Sequence, residues 1–290
     1  MIRLFQIAVF SFLLFHLSGC NAPDENQPIW QNIKIGDLAP SRPDKRPGSQ
    51  ALKTINFNVY IFEMPAENVT ALDDIWPILH TSPFRFNDYD AFKANSFSVA
   101  LGQTHIWNKL NHLLYAAGAK TMQTVSLLLL NAQSNDLTVA RLYAEQTIFH
   151  ISSDGSMEGA TIGPGKLALR IKAEKIPGLR GLCSVNVQPV FTSSLRSLIP
   201  QLPARAEPGE LPFTSAAFAL KMSPGDFFFL GPEKYVDDRI TLPSYFFSRP
   251  APSPGVRMFL IPSSGDTQEP QPYFGPVVRA YLVLCTAISD

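Results

Sequence analysis

Proline recurs so often along this sequence that long helices have little room. The chain carries 25 prolines in 290 residues, where average composition would put proline at about 5% of positions. Each one fixes φ, removes a backbone donor, and tends to end a helix or mark a strand edge. Between the prolines, apolar residues often alternate. Ile55, Phe57, Val59 and Ile61 fall on one side of a period-2 run, with Asn56, Asn58, Tyr60 and Phe62 on the other. That spacing predicts a strand. Similar strand-like runs occur at 97–101, 121–131, 137–151, 157–161, 166–174, 182–191, 216–222, 226–230, 240–247, 256–261 and 277–288.

Helical spacing is confined to the first part of this body. After Pro65 and Ala66, the residues Val69, Leu72, Ile75, Trp76 and Leu79 share one helical face, with Pro77 kinking or ending the element. Thr104 is placed to cap a second helix running to Ala117, with Ile106, Trp107, Leu110, Leu113 and Leu114 as its apolar stripe. Gly118 then fits the residue just past the helix end. The expected fold is therefore α+β and β-rich. A small strand–helix–strand–helix module over 53–119 precedes a largely antiparallel sheet or sandwich over 120–290. Ser153-Asp154-Gly155-Ser156 reads as a hairpin turn, and Gln188-Pro189 as a strand edge or bulge. The prolines of 195–213 suggest an exposed crossover. The apolar run at 277–285 belongs in the middle of a sheet.

The first 20 residues have a different layout. Arg3 precedes an apolar run from Leu4 to Phe15, and the small residues Ser18 and Gly19 stand before a cysteine. This is the arrangement of an export signal. The run is about a dozen residues, short of the roughly 20 that cross a bilayer as a helix. Leu17-Ser18-Gly19-Cys20 resembles the lipobox of bacterial lipoproteins. The resemblance implies that 1–19 is removed and that Cys20, now first, carries acyl chains that hold the protein to membrane lipid. Asn21, rather than Asp, follows the cysteine. By the sorting rule of that family, this implies the outer membrane, facing the periplasm or the cell surface. Residues 20–52 are rich in Pro, Asp, Asn, Gln and Ser and read as a tether, with a mean span of roughly 30 Å if flexible.

Removing 1–19 takes away Arg3 and leaves 23 basic against 24 acidic residues. Such a balance disfavours nucleic acid as a partner. Of the three cysteines, two lie in the body. Cys183 and Cys285 sit in apolar strand-like runs, and both a disulfide and a pair of buried thiols fit that setting.

Chemistry-bearing motifs are scarce, and no catalytic residue, metal site or cofactor is expected. His105 and His112 are seven apart, where helical zinc ligands stand four apart. Ser152–Ser156 holds nucleophile types but reads as a turn. Gly163-Pro164-Gly165-Lys166 lacks the phosphate-loop spacing and leads into a strand. Glu67, Asp73 and Asp74 read as solvated helix positions, and Asp237 and Asp238 as local partners of Arg239. Aromatic residues are the remaining candidates. Phe84, Phe86, Tyr89 and Phe92 crowd one loop and form a candidate binding surface. The run Phe227-Phe228-Phe229 must point to both faces of its strand, so either both faces are buried or one is an interface.

Two further resemblances follow. Val59-Tyr60-Ile61-Phe62-Glu63-Met64-Pro65-Ala66-Glu67-Asn68 with Trp76, and Ser98-Val99-Ala100-Leu101-Gly102 with Trp107, resemble an uncharacterised family of planctomycete-type envelope proteins. Pro224-Gly225-Asp226-Phe227-Phe228-Phe229-Leu230-Gly231-Pro232 resembles passages of the β-rich secretin core. The expected function is a lipid-anchored, non-catalytic structural or assembly component of the cell envelope, with an envelope protein as partner. A polysaccharide- or ligand-binding lipoprotein is the alternative, and a hydrolase with a dispersed site the third reading.

Overall fold

The computed structural model describes residues 53–194, 209–236, 238, 240–249 and 275–289. The export signal, Cys20, the tether, most of the 195–213 crossover, the 256–261 run, Asp237 and Arg239 lie outside the described residues. The strands in chain order are β1 (Thr54–Pro65), β2 (Arg85–Phe86), β3 (Phe97–Gln103), β4 (Lys120–Leu130), β5 (Ser134–Leu142), β6 (Gln146–Ile151), β7 (Met157–Ile162), β8 (Gly165–Lys175), β9 (Cys183–Ser193), β10 (Glu210–Pro212), β11 (Phe218–Met222), β12 (Asp226–Pro232), β13 (Ser248–Arg249) and β14 (Val277–Ile288). The α-helices are α1 (Tyr89–Ala94), α2 (Trp107–Ala116) and α3 (Leu242–Phe247).

Two antiparallel sheets carry the architecture. The first runs β3-β12-β14-β1-β4, with β13 also on β14. The second runs β2-β11-β9-β8-β5, with β10 also on β9. The hairpin β6–β7 stands apart, turned by Gly155 at φ 81°. Inward residues of both sheets merge into one core. Ile55, Phe57, Val59, Phe228 and Val283 come from the first sheet, and Leu169, Ile171, Val185, Val187 and Leu220 from the second. The fold is α+β and β-rich as expected, in its sandwich form.

The boundary drawn at 119 is not a boundary in the fold. β1 and β3, from the expected small module, pair with β14, β4 and β12 from the rest of the chain. The described residues form one compact unit. A strand pattern in sequence shows that a strand exists but not which partner it takes, and non-local pairing joined the two segments.

The first helical segment also differs. Residues Ala66–Asp74 and Trp76–Ile78 are 3-10 turns rather than one α-helix. The apolar stripe is still used, since Leu72, Ile75 and Leu79 are buried. They join Leu110 and Leu114 of α2 in covering the outer face of the first sheet through Phe62, Met64, Phe227 and Phe229. Thr104 does not cap α2 with its side chain; it begins a 3-10 turn that leads into the helix. Gly118 takes the expected place beyond α2, at φ 73°.

The run 240–247, read as a strand, is instead α3 after an exposed Ile240. Pro243 sits in its first turn, where a fixed φ favours a helix and the missing N–H has no intrahelical partner to lose. Thr241 precedes the helix, its N–H and hydroxyl donating to Asp238 Oδ1 at 3.2 and 2.9 Å. Aromatic β propensity of Tyr245-Phe246-Phe247 lost to this local start, and burial of Phe246 and Phe247 completed it.

Pro189 illustrates how a proline enters a central strand. On the side away from β8, β9 pairs with β11 up to Val187 and with β10 from Val190. Pro189 falls in the gap between the two partners, and its carbonyl accepts from Phe213 N at 2.9 Å. The strand is interior, yet at this residue one side is locally an edge.

Candidate functional site

The first sheet offers little free surface near its centre. Phe227 and Phe229 face the helical layer, Phe228 faces the inter-sheet core, and all three are fully buried. Both faces of this triple-phenylalanine strand are therefore used in packing. The second sheet is different, because helices do not cover its outward residues in the same way. Arg170 and Lys172 on β8 alternate with buried Leu169, Ile171 and Ala173, and Asn186 and Gln188 on β9 alternate with buried Val185 and Val187.

These outward residues line an open concavity of about 330 Å³, together with Ser134 and Asn87. Its strongest electrostatic feature is a cross-strand fork. Arg170 donates Nε to Asp136 Oδ1 at 2.7 Å and Nη2 to Asp136 Oδ2 at 3.0 Å. The two residues are register partners on β8 and β5. Arg170 also contacts Glu210 on β10, and Lys166 stands 3.7 Å from Asp136. The hydrogen bonds from Arg170 hold the Asp136 carboxyl below its usual range, against the opposing effect of burial. This network fixes the geometry of the wall and consumes the acidic groups there. Lys172 makes no ion pair among the described residues, so the concavity combines a cation with side-chain amides and a hydroxyl. Such a surface can bind hydroxyl-rich or anionic groups through hydrogen bonds.

The aromatic candidates are divided by the fold. Phe92, on α1, is 1% exposed and packs against Phe86, Phe97 and Phe218. Its ring is core, which removes it from any surface platform. Phe84 and Phe86 are half-buried against Phe218. Tyr89 is 56% exposed and lies edge-on to Phe86 at 5.1 Å. The stretch thus presents one open ring rather than a row of platforms, and its Asn87 is what reaches the concavity.

Other polar and small residues have structural settings of their own. His150 is packed edge-on against Phe213 at 5.1 Å, with Nε2 3.9 Å from Glu158. Burial pushes its pKa down, partly countered by Glu158. Asp154 sits in the β6–β7 turn, where hydrogen bonds from Ser152 and Ser156 lower its pKa to about 2. Glu67, Asp73 and Asp74 are exposed on the first 3-10 turn. Gly165 opens β8 against Phe191 and the Thr192 carbonyl, so the glycine serves close packing rather than phosphate. Cys183 and Cys285 are both fully buried.

One charged cluster escaped sequence reasoning. Glu63 on β1 is 6% exposed and is the register partner of Arg279 on β14. Arg279 Nη2 lies 2.9 Å from Glu63 Oε1, and Arg249 Nη2 2.9 Å from Glu63 Oε2. Arg279 Nη1 also donates to the Val139 carbonyl on β5 at 3.3 Å, tying the two sheets. A signal existed: a single carboxylate in the apolar run around 59–64 and a single guanidinium in the apolar run 277–285. Charges in otherwise buried strands need partners, and each is the other's.

No family model and no curated protein sequence matches the chain. Among solved structures, it is similar to the InvG secretin domain β-barrel from the Salmonella SPI-1 injectisome, with a TM-score of 0.24 at 13% identity over 83% of this chain and 64% of that one. The V. cholerae type IV competence pilus secretin PilQ matches with a TM-score of 0.20 at 10% identity over 82% of this chain and 61% of that one. The chain spans less than two thirds of the length of either. Scores this low do not establish a common fold.

Proposed function

We propose that this protein is a membrane-anchored extracytoplasmic lipoprotein that serves as a non-catalytic structural or assembly component of the cell envelope. The observation that carries this reading is Leu17-Ser18-Gly19-Cys20 at the end of a short apolar run with Arg3 before it. Acyl chains on Cys20 hold the chain to membrane lipid, and the body is presented to an envelope protein partner. The chemistry of the body supports this. Its buried carboxylate, Glu63, is committed to Arg279 and Arg249, and Asp136 is committed to Arg170. The test is Cys20→Ser in the native host. Loss of the mature protein from the membrane fraction, or accumulation of an uncleaved precursor, supports the reading. A mature, correctly sized variant that still sediments with membranes overturns it.

The concavity on the second sheet favours a second reading, a lipoprotein that binds polysaccharide. Lys172, Asn186, Gln188, Asn87 and Ser134 supply the donors and acceptors that sugar hydroxyls or uronate carboxylates need. Lys172→Ala with Asn186→Ala should weaken retention on an immobilised acidic polysaccharide at least tenfold with the melting temperature unchanged. Equal retention of parent and variant excludes this surface.

A further inference from the structure

The two body cysteines stand 102 positions apart in sequence and on different sheets. Cys183 begins β9 of the second sheet, and Cys285 lies near the end of β14 in the first. Both are 0% exposed and belong to the shared inter-sheet core. The same short turn between β11 and β12 holds both. Cys183 is the register partner of Met222, and its thiol donates to the Met222 carbonyl at 3.4 Å. Three residues later, Gly225 N donates to the Cys285 carbonyl at 2.8 Å. Gly225 has φ 93°, the left-handed region that lets the chain make this approach. The two thiol groups are neighbours in this core, each shifting the other's proton affinity. Their interaction moves the Cys183 pKa down and the Cys285 pKa up.

We infer that Cys183 and Cys285 are a redox pair that closes into a disulfide, stapling β9 to β14 across the sandwich. The location of the oxidant rests on reading the chain as exported, where disulfides form and persist. The step is thiol–disulfide exchange with a disulfide donor. The thiolate of one cysteine attacks one donor sulfur, forming a mixed disulfide and releasing the first donor thiolate. The thiolate of the other cysteine, its proton passed to solvent, then attacks the first cysteine's sulfur and releases the second donor thiolate. Two protons leave the protein, its two thiols are oxidised, and the donor disulfide is reduced. Full burial places this exchange in the folding chain, before the sheets close. Once closed, the core shields the bond from reductant.

A cross-link over about 100 residues strongly restricts the unfolded chain. The sandwich should therefore melt roughly 10 °C lower when reduced. The bond joins side chains of one core cluster, so register on both sheets is kept.

The experiment uses the full chain carrying Cys20→Ser, purified in detergent, so that only these two thiols are counted. One sample is unfolded and refolded with oxidised glutathione, and another with excess dithiothreitol. The first should show no free thiol in denaturant, a mass lower by two hydrogen atoms, and a peptide joining Cys183 to Cys285. It should melt roughly 10 °C above the second. Cys183→Ala and Cys285→Ala should each melt at the same temperature in both buffers. Two free thiols after refolding with oxidised glutathione overturn the inference, and this count stands even if either variant fails to fold. Because the oxidant is added in the tube, a negative result leaves the export reading untouched, and membrane fractionation of Cys20→Ser tests that separately.

Discussion

The two sheets of this sandwich are built from the same kind of alternating strand, yet one is buried on two faces and the other on one. β12 of the first sheet carries Phe227, Phe228 and Phe229, all fully buried between a helical layer and the inter-sheet core. β8 and β9 of the second sheet carry Arg170, Lys172, Asn186 and Gln188 on their outward side. The difference lies in what the polar residues are for. In the first sheet the buried charge Glu63 exists to be neutralised by Arg279 and Arg249. In the second, charge and amides line an open concavity. The first sheet holds the protein together, and the second has the free face on which recognition can act.

Substitutions break this contrast in order of size. Phe228→Ala, in the inter-sheet core, should cost about 3–5 kcal/mol by chemical denaturation. Gln188→Ala, on the open face, should stay within about 0.5 kcal/mol. Similar losses at both would erase the distinction between the sheets. Next comes Glu63→Gln, which leaves two guanidinium groups without their carboxylate. Breaking a buried pair costs about 3–5 kcal/mol, and Arg249, 37% exposed, brings the value to the lower end because it can turn to water. An unchanged denaturation midpoint would show that the pair adds nothing to the first sheet.

Smaller still is Gly165→Ala. The added Cβ meets the Thr192 carbonyl and the Phe191 ring. An overpacking cost of about 1–3 kcal/mol is expected, and a stabilised variant would mean that the strand end shifts freely. The smallest effect is a pH dependence at His150. Burial lowers its folded-state pKa below the ordinary 6.5. The unfolded chain therefore takes up a proton first as pH falls. Stability contributed by this residue is present above about 6.5 and declines below it, toward the folded value. Replacing His150 with Gln should flatten that part of the stability profile between about pH 7 and pH 5. A slope that persists unchanged would assign it to another group.

Much of the sandwich was legible because alternation is local. The strand at 277–288 was read with its observed ends and its central place, since a long apolar run with few polar breaks has nowhere else to go. Pairing was not legible. Nothing in the Thr54–Pro65 segment announces that its partners lie at 120–130 and 277–288. The α3 segment was misread because three aromatic residues outweighed Pro243, whose helix-starting geometry was the better signal. The candidate site was less legible than the fold. Phe92 counted as a surface ring until α1 turned it inward. Arg170, Lys172, Asn186 and Gln188 registered only as the polar halves of strands, because their convergence depends on register between β8 and β9.

The proposed anchoring of this body to a membrane through Cys20 is tested directly at the mature N-terminus. Mass spectrometry of the N-terminal peptide from the native protein should find a chain that begins at Cys20, with its mass raised by a diacylglyceryl group and an amide-linked acyl chain. A chain that retains Met1 with its leader, or one cleaved elsewhere with an unmodified cysteine, would contradict it.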